Sequence, residues 1–117
     1  MTTARIYHNA RCSKSRQALA LLEQQGVEIE IVNYLQTPPD NATLSALLKQ
    51  LGMNARDLMR QNEDVYRELN LDNPELSEAQ LVQAMVDYPK LIERPIVTAN
   101  GKTIVARPPE RVGELFE

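Results

Sequence analysis

Arg5-Ile6-Tyr7-His8-Asn9-Ala10-Arg11-Cys12-Ser13-Lys14-Ser15-Arg16 is the stretch that decides how this chain folds. Its first residues suit a strand over residues 4–8, ending at His8. A short polar turn follows. A helical pattern then runs from Ser13 to Gln25, with Ala18, Leu19 and Leu22 on one side and Gly26 as its stop. Beyond it, Val27, Ile29 and Ile31 alternate with Glu28 and Glu30, the period of two of a second strand. Strand, helix and strand within about 30 residues make a βαβ unit. Its two strands are expected to be parallel, with a right-handed crossover.

Cys12 falls where the first strand gives way to the helix. A thiol there faces the first free backbone N–H groups of the helix, at the positive end of its dipole. Such thiols drop from a pKa of about 8.5 to about 3.5–7.5, which makes them nucleophiles and metal ligands. The plainer role of a free cysteine is that of a small buried hydrophobe. His8, four residues earlier, can tune the thiol or carry protons; as a strand-end polar cap it would do neither. Ser15, three residues later, can donate to a thiolate from the first helical turn or simply cap the helix start.

Further along, Pro38 and Pro39 break the chain. Leu44, Leu47, Leu48 and Leu51 then mark an amphipathic helix that stops at Gly52. Asn54 is placed to cap a short helix through Arg60, and a further turn is expected from Asp64 to Leu69. Ser77 and Gln80 have capping-box spacing, and Leu81, Ala84 and Met85 share one face until Pro89 ends that helix. Pro95-Ile96-Val97-Thr98 and Thr103-Ile104-Val105-Ala106 bracket Asn100-Gly101, a strong hairpin signal. Pro108 and Pro109 suit a helix start, with Val112, Leu115 and Phe116 as its apolar face. The expected architecture is α/β, in the order β-α-β…β-β-α with a helical insertion between strands 2 and 3. By analogy this is the element order of the thioredoxin-like fold.

The 117 residues suit a single domain, 1–117. A lone cysteine cannot make an internal disulfide, which favours a reducing compartment. No stretch is apolar enough to span a bilayer or serve as a secretory signal, so no membrane association is expected and the localisation read is cytoplasmic. The net charge of −3 argues against generic nucleic-acid binding. One cysteine and one histidine leave too few soft ligands for a metal site, so the metal set is none. No Gly-rich phosphate loop is present.

An acidic protein that binds an anion must do so with a few placed arginines. Arg60 stands at the end of a short helix. Arg94 precedes Pro95 and the third strand. Arg107 follows the fourth strand and precedes Pro108. Arg94 and Arg107 flank the open end of one hairpin, so the pairing brings them close. Guanidinium forks bind two oxygens of a tetrahedral oxyanion at once; each arginine taken singly also fits a solvated surface role. The Arg94-Pro95 bond is cis or trans on this reading, with trans the commoner form.

The chain resembles the glutaredoxin-coupled arsenate reductases. The resemblance spans essentially its whole length. It rests on Tyr7-His8-Asn9-x-x-Cys12-x-x-Ser15-Arg16, Tyr34-Leu35-x-x-Pro38-Pro39, Arg56-x-Leu58-x-Arg60-x-Asn62, Leu91-Ile92-x-Arg94-Pro95-Ile96-Val97 and Arg107-Pro108. It implies a thioredoxin-like fold and a role in arsenical resistance. It makes Cys12 the nucleophile that attacks arsenate and Arg60, Arg94 and Arg107 the oxyanion-binding residues. His8 and Ser15 become the groups that influence the thiol, and Pro95 a structural cis-proline. It also implies glutathione as co-substrate, glutaredoxin as partner and no bound cofactor. Ala10 departs from the family pattern, which has proline there, and alanine does not fix φ in the loop before the nucleophile. Two other readings accompany this one. The first is a related thiol oxidoreductase with another oxyanion substrate. The second is an RNA-polymerase-binding regulator of the same superfamily, against whose disulfide-switch form Ser15 stands where a second cysteine would be needed.

Overall fold

The computed structural model describes residues 3–117. It divides into two units: residues up to Thr37 with Arg94–Glu117, and Pro38–Glu93.

The first unit is built on the βαβ segment. Strand β1 (Thr3–Tyr7) leads through a polar turn to helix α1 (Ser13–Gln24) and strand β2 (Glu28–Val32). Gly26 takes the left-handed conformation after the helix, with φ +68°. β1 and β2 pair in parallel, Tyr7 opposite Val32. β3 (Ile96–Ala99) pairs antiparallel with β1, and β4 (Lys102–Val105) antiparallel with β3, so the sheet order is β2-β1-β3-β4. Asn100 and Gly101 both have positive φ, 54° and 75°, as the tightest hairpin turn requires.

Ala4 and Ile6 of β1 and Val97 and Ala99 of β3 form one buried cluster with Ala18 and Leu22 of α1 and with Val112 and Leu115 of the C-terminal helix. Each fully buried leucine contributes about 1.5–3 kcal/mol by leaving water. β2 is an edge strand with partial cover: Ile29 is half-buried against the cluster and Ile31 is 52 % exposed.

The C-terminal segment differs from the α-helix expected. Pro109–Phe116 is a 3-10 helix. Its buried residues, Pro109, Val112 and Leu115, recur every third position, and side chains three apart eclipse in a 3-10 helix. Gly113, a poor α-helix former, lies within it. Phe116, expected on the same face, is only half-buried.

The second unit holds the helical insertion: α2 (Asn41–Leu51), α3 (Ala55–Leu58), α4 (Asp64–Glu68), α5 (Glu78–Asp87) and a 3-10 turn, Pro89–Leu91. α5 packs on α2, α3 and the 3-10 turn, with Leu81, Val82 and Met85 buried. The capping boxes at Asn54/Asp57 and Ser77/Gln80 are both formed. The cap of α2, Asp40, was not read from sequence; its side chain accepts the Thr43 N–H at 2.8 Å. Arg56 holds the chain beyond α4, donating to the Tyr66 hydroxyl (3.2 Å), the Leu71 carbonyl and the Asn73 carbonyl (3.0 Å).

The short helix after Asn54 ends earlier than expected. α3 stops at Leu58, because Met59 is extended and bridges Ile92. The Glu93 N–H donates to the Leu58 carbonyl (2.9 Å), and the Arg60 N–H to the Leu91 carbonyl (2.7 Å). Arg60 therefore stands on a bridged extended segment rather than in the helix.

Candidate active site

Cys12 is the N-cap of α1, with extended backbone (φ −91°, ψ 122°). Its side chain makes no capping hydrogen bond, so the sulfur lies open beside the helix start. Burial pushes the Cys12 thiol up. The Ser15 N–H, the Arg94 guanidinium by hydrogen bond and by charge, and the Lys14 N–H outweigh it, and the net direction is down. The helix start and a guanidinium thus both favour the thiolate.

His8 and Ser15 stand behind the thiol. Ser15 is fully buried and His8 nearly so. His8 Nδ1 lies 2.6 Å from Ser15 Oγ, with the donor set by the ring tautomer, and the Asn9 N–H donates to the same oxygen at 3.1 Å. Ser15 was read as a donor to the thiolate or a cap of the helix start; its described hydroxyl partners are His8 and Asn9.

Burial, and then the positive charge of Arg16, pull His8 below its ordinary value of 6.5. The folded protein therefore favours the neutral ring. The stability this gives is complete above the unfolded value and is lost as pH falls through the folded one. Between about pH 7 and pH 5 the free energy of urea unfolding is expected to fall more steeply in the wild type than in His8→Gln. Parallel slopes would contradict this.

Ala10 leaves the loop without a ring to stiffen it, and hydrogen bonds do that work. Arg16 Nη1 donates to the Ala10 carbonyl (2.8 Å), the Arg11 N–H to Asn9 Oδ1 (3.0 Å) and the Cys12 N–H to the Asn9 carbonyl (3.0 Å). Arg16→Gln is expected to slow Cys12 alkylation severalfold, and Ala10→Pro in the same chain to restore most of the rate by fixing φ. Equal rates in all three proteins would show that the Arg16 bond does not position the thiol.

At the open end of the hairpin, the Ala106 N–H donates to the Pro95 carbonyl (2.9 Å) and Arg107 Nη1 to the Arg94 carbonyl (3.2 Å). Both Arg94-Pro95 and Arg107-Pro108 are cis. The first matches the expectation for Pro95; the second had no sequence signal. Arg94 and Arg107 are thus brought together, with Arg94 on the Cys12 sulfur.

Arg60 belongs to the second unit. Its Nε donates to Glu63 (3.2 Å) and its Nη1 to Glu93 (2.9 Å). Sequence reasoning missed both carboxylates; only the i,i+3 spacing of Glu63 was there to suggest one. Among the described residues, no group of three or more His, Cys, Asp or Glu side chains could hold a metal ion, and no helix is long and apolar enough to cross a membrane.

A β2-β1-β3-β4 sheet with a cysteine at the N-cap of its first helix and a cis-proline entering β3 defines a thioredoxin-like thiol protein. Comparisons with known proteins narrow the class. The ArsC family model matches residues 7–115. An uncharacterized protein of Escherichia coli, YfgD, is 65% identical, covering 95% of this chain and 94% of its own length. A protein of Neisseria meningitidis named arsenate reductase is 51% identical, covering 96% and 97%. A solved structure described as an arsenate reductase from Vibrio cholerae superposes with a TM-score of 0.94 at 50% identity, covering 97% of this chain and 98% of its own. The chain belongs to the ArsC family.

Proposed function

We propose that this protein reduces arsenate to arsenite, with Cys12 as nucleophile and glutathione and glutaredoxin as the thiols that complete the reaction in the cytoplasm. The observation that carries the reading is the place of the sulfur, at the N-cap of α1 with the Arg94 guanidinium favouring its thiolate. Family membership and relatives named arsenate reductase support it.

The Cys12 thiolate attacks arsenic(V) and an arsenate oxygen leaves as water after protonation. Arg94 and Arg107 offset the oxyanion charge. Glutathione replaces a second oxygen, giving an arsenic(V) adduct with two sulfurs. A glutaredoxin thiolate then attacks the glutathione sulfur. That forms a mixed disulfide, and the electron pair of the broken sulfur–arsenic bond stays on arsenic, which becomes arsenic(III). Hydrolysis releases arsenite and regenerates Cys12. Two external thiols are required because the chain has one cysteine and hence no resolving thiol. His8 and Ser15 hold the loop and tune the local charge. No bound cofactor or metal takes part in this scheme.

The test is a coupled assay with arsenate, glutathione and glutaredoxin, run beside an RNA polymerase pull-down. Arsenite formation that stops when any component is omitted supports the reading. Absence of turnover with several glutaredoxins, together with polymerase capture, would replace it with the regulator.

A further inference from the structure

The turn that carries the nucleophile also forms one wall of a cavity. The parallel register puts the ends of β1 and β2 side by side, Tyr7 opposite Val32, and the His8 N–H extends the ladder to the Val32 carbonyl at 2.8 Å. The loops leaving the two strands therefore run next to each other at their carboxyl ends, where open α/β sheets take their ligands. Between them lies a cavity of about 330 Å³, lined by Asn9, Ala10 and Arg11 from the first loop and Asn33, Leu35 and Gln36 from the second. This is at the small end of the range of about 300–1,000 Å³ for small-molecule sites.

The lining is chemically particular. Arg11 is exposed and directly precedes Cys12. No hydrogen bond or ion pair among the described residues holds its guanidinium, in contrast to Arg16 on the Ala10 carbonyl and Arg60 on two carboxylates. The side-chain amides of Asn33 and Gln36 are equally uncommitted among the described residues, and Leu35 adds an apolar surface that is 39 % exposed. The cavity thus offers a guanidinium fork, amides that both donate and accept, and one aliphatic wall, beside the residue that must meet a second thiol.

We propose that this cavity seats a small anionic peptide thiol, with Arg11 on a carboxylate and the amides of Asn33 and Gln36 on the peptide groups. The inference rests on the reading of Cys12 as a nucleophile that works with glutathione, and it adds where that co-substrate sits and which residues select it.

The test separates the site from arsenate reduction by using a disulfide exchange. The Cys12 thiolate attacks one sulfur of glutathione disulfide. A Cys12–glutathione disulfide forms, the reagent's own S–S bond breaks, and the second glutathione departs as a thiolate. The rate is followed by intact-protein mass spectrometry and divided by the rate with a neutral reagent, bis(2-hydroxyethyl) disulfide. The ratio cancels changes in the intrinsic reactivity of the thiol. Arg11→Glu and Gln36→Glu, both at exposed positions, each set a negative charge against the anionic reagent, and the first also removes a charge-assisted contact; each is expected to lower this ratio about tenfold. Lys102→Glu makes the same change of charge at the hairpin tip and is expected to keep it. A ratio within threefold of wild type in both cavity variants, or an equal fall in Lys102→Glu, would overturn the proposal. Arsenate turnover with an unchanged ratio would remove the cavity and leave the enzyme. A lowered ratio without arsenate turnover would keep the cavity and remove the enzyme.

Discussion

Cys12→Ser is expected to abolish arsenate turnover with glutathione and glutaredoxin present. The serine hydroxyl is uncharged at neutral pH, and among the described residues no base is hydrogen-bonded at this position to take its proton. The Ser15 N–H, the Lys14 N–H and the Arg94 guanidinium favour an anion that sulfur can supply and oxygen cannot. A loss on the order of 10³-fold or more is expected, at least about 4 kcal/mol in the barrier. The measurement is steady-state arsenite formation with each thiol omitted in turn. Equal rates in wild type and Cys12→Ser would show that the arsenic never bonds to this sulfur.

Arg94→Ala has the second largest expected effect, because its guanidinium favours the Cys12 thiolate and would also meet the oxyanion. The bond from Arg107 to the residue-94 carbonyl is to the main chain and is kept. Loss of one donor to a developing oxyanion costs about 10²–10³ in kcat, or about 2.7–4 kcal/mol. Arg94→Lys is expected to recover little of this, since an ammonium keeps the charge but lacks the two-pronged geometry. Kinetics of both variants with arsenate as the varied substrate check the point. Full activity in Arg94→Lys would mean that charge alone is used.

The residues that made the fold legible are those whose reasons are local. Gly26, the alternation from Val27 to Ile31, the Ser77/Gln80 box and Asn100-Gly101 each fix a backbone conformation within a few residues, and each element they mark is present. What was not legible depends on partners distant in sequence. Arg60 was misplaced into a helix because nothing near Met59 announces its bridge to Ile92, 33 residues on. The C-terminal helix reads as α until the third-position burial of Pro109, Val112 and Leu115 shows otherwise.

The site divides in the same way. Cys12 was readable because a strand-to-helix turn carries its own electrostatics. The meeting of Arg94 and Arg107 was readable because a hairpin turn fixes which residues face each other at its open end. The His8–Ser15 contact was not, since it joins the end of a strand to a helix turn seven residues on. The two carboxylates on Arg60 escaped for a related reason: acidic residues this common carry no signal until the chain brings them within reach.

One measurement bears on the activated thiol and on the oxyanion together: the rate of Cys12 alkylation by iodoacetamide against pH, with and without arsenate. With helix N–H groups and Arg94 on the sulfur, the inflection is expected below the ordinary thiol value of about 8.5. Arsenate is expected to slow the reaction by occupying the arginines beside Cys12, and Arg94→Ala to raise the inflection and weaken that protection. An inflection at or above about 8.5, with a rate indifferent to arsenate, would contradict the account.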